Sequence, residues 1–301
     1  MRFIHSVVAQ NEAVVKNTTK SWDLPVNPLS HLIITIRALN AAAVEATKYE
    51  IENLLKKVSI DYRGITILDL SGVELDTYNA LTFKNLPVLL NQVATDDAVR
   101  ASTLVVPFGR KIFDPEECFP GSRRGELTLH ITYNTAAATP NIDGCEIQIE
   151  SVALPEATPK QYIKNTTLTK TPTAVGWHEI DLPIGNQLIG IGLHATTTPI
   201  GISWDKSISQ VKVMADNDEL DYTLTNWESL HGMLLNKIGH REPYDLDADH
   251  DHYLDSALLD FDPQGDSKFL IDTKPFARFN LAIYADVADQ ILVHPIEIVK
   301  V

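Results

Sequence analysis

The feature that most limits the folds open to this chain is an internal repeat at about half its length. Alternating or β-branched apolar segments recur in the same order at offsets of 156, 152 and 149 residues: 32–39 with 188–195, 128–132 with 280–284, and 147–149 with 296–298. A single likeness of this kind arises by chance, because amphipathic strands resemble one another. Several in one order, with a slowly drifting offset, predict two similar domains in tandem.

The segments between these strands recur as well. Strand patterns at 58–62 and 65–70 flank Arg63-Gly64, which predicts a hairpin. Ser71 and Glu74 then have the spacing of a capping box, which predicts the start of a helix. The second half has the same order: a strand at 211–213, a turn at 216–218, a strand at 220–224, and a helix capped by Thr225 and Glu228.

Most ordered segments have the period of two that is typical of strands with one buried face, as at 126–133 and 145–152. Helical patterns do not alternate with strands one for one, which argues against a parallel α/β fold. Residues 43–57 are ambiguous, although their strong helix formers would suit a helix. The sequence predicts an all-β protein with short helices in loops, built as two tandem jelly-roll β-sandwich or barrel domains.

Between about residues 154 and 174 the strand pattern gives way to Pro, Thr, Lys and Asn, which indicates a linker. The predicted organisation is therefore an N-terminal arm at 1–24, a first jelly roll at 25–155, a linker at 156–174 and a second jelly roll at 175–301. No apolar run reaches the ~18 residues of a membrane span, and the N-terminus lacks the apolar core of a signal peptide. We expect a soluble chain without an export signal.

The charge excludes one class of function. The chain has 40 acidic and 25 basic side chains, a net charge of −15. Residues 201–301 contribute −11 of this, from 19 acidic and 8 basic side chains. Because docking on a phosphate backbone depends on Lys and Arg, no sequence-specific nucleic-acid binding is predicted.

One stretch is similar to a known family. Residues 104–115, which include Pro107-Phe108-Gly109-Arg110, precede Cys118-Phe119-Pro120 and the strand that begins near Gly125. This pattern and the tandem β domains resemble the double-jelly-roll major capsid proteins of tailless icosahedral bacteriophages with an internal membrane, the corticovirus-type coat proteins and their relatives. The likeness covers about residues 25 to 301.

The resemblance implies a structural virion protein rather than an enzyme. Chains of that family form homotrimers in which six similar barrels make a pseudo-hexameric capsomer of an icosahedral shell. The implied partners are other copies of the chain, neighbouring capsomers, and the vertex or penton and minor capsid proteins. The implied location is the virion, after synthesis in the host cytoplasm.

The segment 1–24 fits an inner arm in this scheme. Its net charge is +1 where the rest of the chain is acidic, and its apolar side chains give it weak amphipathic character. It could contact the internal membrane or a neighbouring capsomer. A tail packed on its own barrel is the alternative.

The most conspicuous cluster of possible metal ligands is acidic. Asp245, Asp247, Asp249 and Asp251 alternate along the chain and could offer carboxylate oxygens to calcium. The spacing is not that of an EF-hand, since the sixth position is His250 rather than Gly. The resemblance implies calcium, but no motif carries the family's ligands onto these positions, and a solvated acidic loop is the alternative.

No catalytic motif stands out, and no catalytic or cofactor-binding residue is predicted. The histidines occur singly, and Cys118 and Cys145 are expected to be plain thiols. Gly190 and Gly192 lie inside a strand pattern and indicate close packing or a bend. The second hypothesis is a tandem β-sandwich carbohydrate-binding or glycan-processing protein, whose loops could present aromatic side chains: Trp177, Trp204 and Trp227.

Overall fold

The computed structural model describes residues 2–83, 94–195, 207–238 and 256–301. The chain divides into two compact units, which meet in the sequence at Lys164 and Asn165. Within the described residues, no helix is long and apolar enough to cross a membrane.

In the residues that the structure describes, the first unit contains nine strands, two α-helices and a short 3₁₀-helix. In chain order these are β1 (Ile4–Ala13), β2 (Thr19–Asp23), β3 (Leu29–Asn40), α1 (Lys48–Asn53), β4 (Leu55–Tyr62), β5 (Ile65–Leu70), α2 (Gly72–Phe83), β6 (Val99–Pro107), β7 (Leu127–Tyr133), the 3₁₀-helix Ala136–Ala138, β8 (Ile142–Ala153) and β9 (Gln161–Asn165). The strands form one sheet in the order β1-β8-β3-β6 and a second in the order β2-β7-β4-β5, with β9 beyond β5.

The second unit repeats this plan. Its elements are β10 (Leu168–Lys170), β11 (Gly176–Asp181), β12 (Gln187–Ala195), β13 (Ile208–Ala215), β14 (Asp218–Glu219), β15 (Thr225–Asn226), α3 (Trp227–Ile238), β16 (Ser256–Asp260), β17 (Ile271–Asp272), β18 (Phe279–Ala285) and β19 (Ile291–Lys300). One sheet has the order β10-β19-β12-β16, with β17 paired to β12, and the other has the order β11-β18-β13-β14, with β15 paired to β13.

The order of the eight main strands is the same in both units. Each has two four-stranded antiparallel sheets, and a helix lies between the fifth and sixth strands in both. This is the jelly-roll arrangement. The predicted all-β fold of two tandem jelly rolls is therefore confirmed.

The core of each unit lies between its sheets and follows from the period of two. In β7 every second residue is buried, from Leu127 to Tyr133, and the residues between are half-exposed. In β3, Leu32, Ile34 and Ile36 are fully buried. Burying an aliphatic side chain of this size stabilises a fold by about 1.5–3 kcal/mol.

The predicted turns and helix starts have clear local causes. Arg63 and Gly64 both adopt left-handed backbone angles, φ 51° and 80°, as the two-residue hairpin between β4 and β5 requires. At the start of α2, the Glu74 N–H donates to Ser71 Oγ, and the Ser71 N–H donates to Glu74 Oε2, which is the predicted capping box. In the second unit, α3 begins at Trp227, and Thr225, the predicted cap, belongs to the strand β15 instead.

Some predictions about single elements need correction. The strand expected at 220–224 is wrong: β14 contains only Asp218–Glu219. Asp221 has φ 51°, a left-handed conformation that ends the strand. Within 43–57, only Lys48–Asn53 is helical, and Leu55 already belongs to β4.

The segments predicted as an arm and a linker contain strands. Residues 1–24 include β1, which pairs with β8, and β2, which pairs with β7. Residues 156–174 include β9 and β10.

Candidate functional site

The predicted calcium ligands, Asp245, Asp247, Asp249 and Asp251, lie outside the described residues. In the part of the chain that the structure describes, no three His, Cys, Asp or Glu side chains are grouped so that they could hold a metal ion. Calcium binding by the acidic segment stays a prediction. The prediction would be contradicted if added calcium left the melting temperature unchanged and gave no heat of binding in a calorimetric titration.

The Pro-Phe-Gly-Arg segment follows β6 and is locked by Glu117. Arg110 Nη2 and Nε donate to Glu117 Oε2 at 2.8 and 3.1 Å, and the Arg110 N–H donates to Oε1 at 2.7 Å. Gln161 of β9 donates to the same carboxylate at 3.0 Å. Burial alone would raise the pKa of Glu117, but the hydrogen bonds and charge of Arg110 lower it below its ordinary value. The loop between β6 and β7 is therefore held by a charged, partly buried clamp.

Gly109 is required beside this clamp. A Cβ atom on Gly109 would lie 2.0 Å from the Glu117 carbonyl oxygen, a distance that no side chain tolerates. Only glycine lets the two backbone segments approach so closely.

Aromatic rings fill the space beneath the clamp. The ring of Phe119 is fully buried, and its centroid lies 5.1 Å from Tyr62, 5.4 Å from Phe108 and 5.0 Å from Tyr162 of β9. Offset and edge-to-face ring pairs of this kind add to the energy of burial. The adjacent Cys118 is a free thiol whose pKa burial raises to about 11, with a smaller effect of Asp114.

The loop also carries exposed apolar side chains. Phe113 is 42% exposed and has φ 65°, which is unfavourable for a bulky residue, and Phe3 is 57% exposed. Their ring centroids lie 5.5 Å apart. Together with the exposed Arg2, Lys111 and Ile112, they form a surface that we call the Phe3–Phe113 patch.

The patch rests on a buried histidine. The Phe113 N–H donates to Ser30 Oγ at 2.7 Å, and this oxygen lies 2.9 Å from His31 Nδ1. The ring of His31 lies edge-on to Phe113 with centroids 5.3 Å apart. Burial, and to a lesser extent the charge of His5, lower the pKa of His31 to about 4. At neutral pH the imidazole ring of His31 beneath the patch is therefore uncharged.

The second unit contains an open cleft of about 650 Å³. Four aromatic side chains line it, and three carboxylates and one lysine lie among them: Tyr222, Phe261, Phe269, Phe276, Asp221, Asp260, Asp272 and Lys268. We call it the second-unit cleft. Asp260 forms an ion pair with Lys237 at 2.6 Å, whereas Asp221 and Asp272 are exposed at the rim. The cleft combines apolar surface with an excess of negative charge.

No protein-family model matches this chain, and no curated protein matches its sequence. The atomic structure of Sulfolobus Turreted Icosahedral Virus is similar over 100% of this chain and 91% of that one, with a TM-score of 0.74 at 13% identity. The major capsid protein P2 from Bacteriophage PM2 is similar over 100% and 98%, with a TM-score of 0.67 at 12% identity. The PBCV-1 virus capsid structure is similar over 99% of this chain and 94% of that one, with a TM-score of 0.63 at 11% identity. The chain has the double-jelly-roll fold of these capsid proteins. The resemblance seen in the sequence is confirmed at the level of the fold.

The tryptophans occupy different places in the double jelly roll. Trp227 is 3% exposed and belongs to the core of the second unit. Trp177 is 42% exposed, but its ring contacts Tyr284, and Lys212 Nζ lies 4.7 Å from its centroid. Trp204 lies outside the described residues. Trp177 and Trp227 form no shared aromatic surface of the kind that the carbohydrate-binding hypothesis needs.

The other residues singled out in the sequence have structural contacts in the double jelly roll. His231 Nδ1 lies 3.0 Å from the Ser256 carbonyl oxygen, and His130 Nδ1 lies 2.6 Å from Ser21 Oγ. A Cβ atom on Gly190 would approach the Leu259 carbonyl oxygen to 2.8 Å, which confirms the close packing predicted for this strand.

Sequence reasoning found the Pro-Phe-Gly-Arg segment but missed its partner. Glu117 and Gln161 lie in stretches without a periodic pattern, so no spacing marks them. The second-unit cleft was missed as well, because its aromatic residues come from separate segments that meet only in the folded unit. Lys268-Phe269 and Lys111-Ile112-Phe113 each have a cation near an aromatic residue, but nothing in the sequence marks these segments as parts of a surface.

Proposed function

We propose that this chain is the major capsid protein of an icosahedral virus, a structural virion protein without catalytic activity. The observation that carries the proposal is the same eight-strand jelly-roll order found twice in one chain. The likeness of fold to viral capsid proteins over 99–100% of the chain supports it.

The duplication has a physical use in such a shell. A trimer of a chain with two similar barrels presents six similar barrels around its axis, and it can occupy a position of nearly sixfold symmetry. Closed assemblies of this kind are held by the same contact repeated around the axis. We propose that the homotrimer is the capsomer, that it contacts neighbouring capsomers, and that vertex and minor capsid proteins complete the shell.

We also propose that residues 1–24 provide contact with an internal membrane. Residues 4–13 are hydrogen-bonded to β8, so the segment would act through exposed side chains rather than as a free arm. Val7 and Val15, 53% and 54% exposed, are among the apolar side chains available in it. Deletion of residues 1–20 with unchanged particle yield and unchanged membrane content would contradict this contact.

Light scattering after size-exclusion chromatography, with negative-stain electron microscopy, tests the main proposal. We expect a mass three times the 33.4 kDa of one chain, or larger particles, and a near-hexagonal outline of the trimer. A chain that stays monomeric at high concentration and binds a glycan would contradict the capsid proposal and favour the carbohydrate-binding alternative.

A further inference from the structure

Two exposed surfaces of this chain have complementary chemistry. The Phe3–Phe113 patch carries two aromatic rings beside two cations, and the second-unit cleft carries four aromatic rings beside three carboxylates and one lysine. Neither Arg2 nor Lys111 forms an ion pair with any residue that the structure describes, so both charges are available to a partner.

The backbone at Phe113 supports a role for the patch. Its φ of 65° costs energy that glycine or asparagine would avoid, and the ring is then left 42% exposed. The ring packs against His31 and Phe3, yet the backbone conformation at this position favours glycine or asparagine. A strained, exposed aromatic side chain of this kind is typical of a binding surface.

The first unit shows what covers such a cleft. In both units the strand that follows the helix ends next to a buried phenylalanine, Phe108 after β6 and Phe261 after β16. In the first unit, Phe119 lies against Phe108, and Tyr162 of β9 covers Phe119. In the second unit, Phe261 contacts Tyr222 but borders the open cleft. The second-unit cleft leaves room for a further aromatic side chain, which a partner can supply.

We propose that the second-unit cleft binds the Phe3–Phe113 patch of a second copy of the chain. Aromatic rings of the patch enter the cleft, and Arg2 and Lys111 meet Asp221 and Asp272 at its rim. Aromatic side chains seated in pockets, with charges around them, are the usual centres of binding energy in interfaces. Phe3 and Phe113 are exposed in the single chain, and the cleft of the partner copy would bury them.

The contact joins two different surfaces, and it therefore repeats head to tail from copy to copy. This contact rests on the proposed self-assembly of the chain, and it specifies which residues would form the interface. A head-to-tail contact closes into a ring when the rotation between copies permits it, as a trimer requires.

Charge reversal tests the contact. The patch variant is Arg2→Glu with Lys111→Glu, and the cleft variant is Asp221→Asn with Asp272→Lys. Asparagine is chosen at position 221 because it tolerates the left-handed backbone, φ 51°. All four side chains are exposed, so both variants should fold. We expect each to raise the dissociation constant of self-association, measured by analytical ultracentrifugation, at least about tenfold, and the combined variant to recover part of that loss through the reversed charge at position 272.

The matched controls are Lys56→Glu and Asp143→Lys, which reverse exposed charges outside both surfaces. They should self-associate like the wild type. Patch and cleft variants that also self-associate like the wild type would overturn this proposal and leave the capsid proposal standing. A wild-type chain that does not self-associate would overturn both. Unchanged self-association with lost binding to phosphatidylglycerol vesicles would instead assign the patch to a lipid surface and overturn the contact.

Phe113→Gly separates assembly from folding. Glycine relieves the left-handed strain and removes the ring, so the variant should melt within a few degrees of the wild type while its self-association weakens several-fold. Unchanged association of a folded Phe113→Gly chain would overturn the proposal that the patch enters the cleft.

Discussion

At the scale of single residues, the loop between β6 and β7 is fixed by close backbone approach and by one charged clamp. Gly109 lets the chain pass the Glu117 carbonyl group, and Arg110 then reaches the Glu117 carboxylate. Because Gln161 binds the same carboxylate, the clamp also ties β9 to the loop. These contacts determine where Phe113 emerges, so the exposed patch depends on them.

Substitution of Gly109 by Ala should destabilise the first unit by about 2–4 kcal/mol, because the new Cβ atom would overlap backbone atoms that cannot move independently. The control is Gly232→Ala in α3, where no atom lies within 4 Å of the new Cβ. That variant should be more stable by about 0.5–1 kcal/mol, since alanine is the better helix former. Urea denaturation measures both. Equal effects of the two substitutions would contradict the role given to Gly109.

Substitution of Arg110 by Ala should cost about 2–4 kcal/mol, because it leaves the Glu117 carboxylate, 6% exposed, without its main partner. Since the pKa of Glu117 is lowered in the folded chain, the clamp is intact at neutral pH and is lost only as the pH falls below the ordinary value of 4.5. The matched pair is Lys160 and Glu116, 66% and 58% exposed, where Lys160→Ala should cost under about 1 kcal/mol. A double-mutant cycle on each pair measures the difference.

The buried imidazole of His31 predicts a pH dependence of stability. Its pKa in the folded chain, about 4, lies below the ordinary histidine value of 6.5, so the unfolded chain binds more protons between these two values. Stability should therefore fall as the pH is lowered from 6.5 towards 4, by on the order of 2 kcal/mol from this residue. The His31→Gln variant should lose this part of the slope, and His178→Gln should keep it. Identical slopes in the wild type and His31→Gln would show that His31 does not carry the effect.

At the scale of elements, the central strands were predictable and the edge strands were not. In β7 the alternation of buried and exposed residues is regular, and the sequence shows it directly. In β1 only Ala9 is buried, and the pairing with β8 has two register shifts, so no apolar pattern marks the strand. Such strands are formed by backbone pairing at the sheet edge, which a hydrophobic pattern does not record.

The same contrast applies to the helix starts and the candidate surfaces. The Ser71 box precedes a long helix and was predicted, whereas the box of Thr47 and Glu50 precedes a helix of only six residues and was missed. The Pro-Phe-Gly-Arg segment was visible in the sequence. The clamp, the patch and the cleft were not, because each depends on contacts between segments that lie apart in the chain and have no common period.

The cap of α2 gives a prediction for a whole element. Ser71→Ala removes the side-chain oxygen that accepts the Glu74 N–H, and it should destabilise the first unit by about 1 kcal/mol. The control is Ser229→Ala at an exposed position inside α3, which should change stability by less than about 0.5 kcal/mol. Thermal melts followed by circular dichroism compare them. A Ser71→Ala variant as stable as Ser229→Ala would mean that the cap contributes nothing to the fold.

At the scale of the whole molecule, the net charge of −15 opposes the self-assembly that the fold supports. At a separation of about 50 Å in water, the unscreened repulsion between two charges of −15 is about 20 kcal/mol. A few exposed ion pairs, each contributing about 0–1 kcal/mol, do not balance it. Apolar contacts and screening by salt must therefore offset the repulsion between the two net charges.

We therefore expect self-association of the wild type to strengthen as sodium chloride rises from about 0.02 to 0.2 M, since the Debye length falls well below the distance between the centres. Sedimentation velocity at pH 7.5 over this range measures the dissociation constant. At pH 5.5, close to the isoelectric point of about 5.0, the net repulsion is small, and the dependence on salt should shrink or reverse. A steady weakening by salt at pH 7.5 would contradict this. Local charge pairs, such as those proposed between the Phe3–Phe113 patch and the second-unit cleft, would then outweigh the repulsion between the net charges.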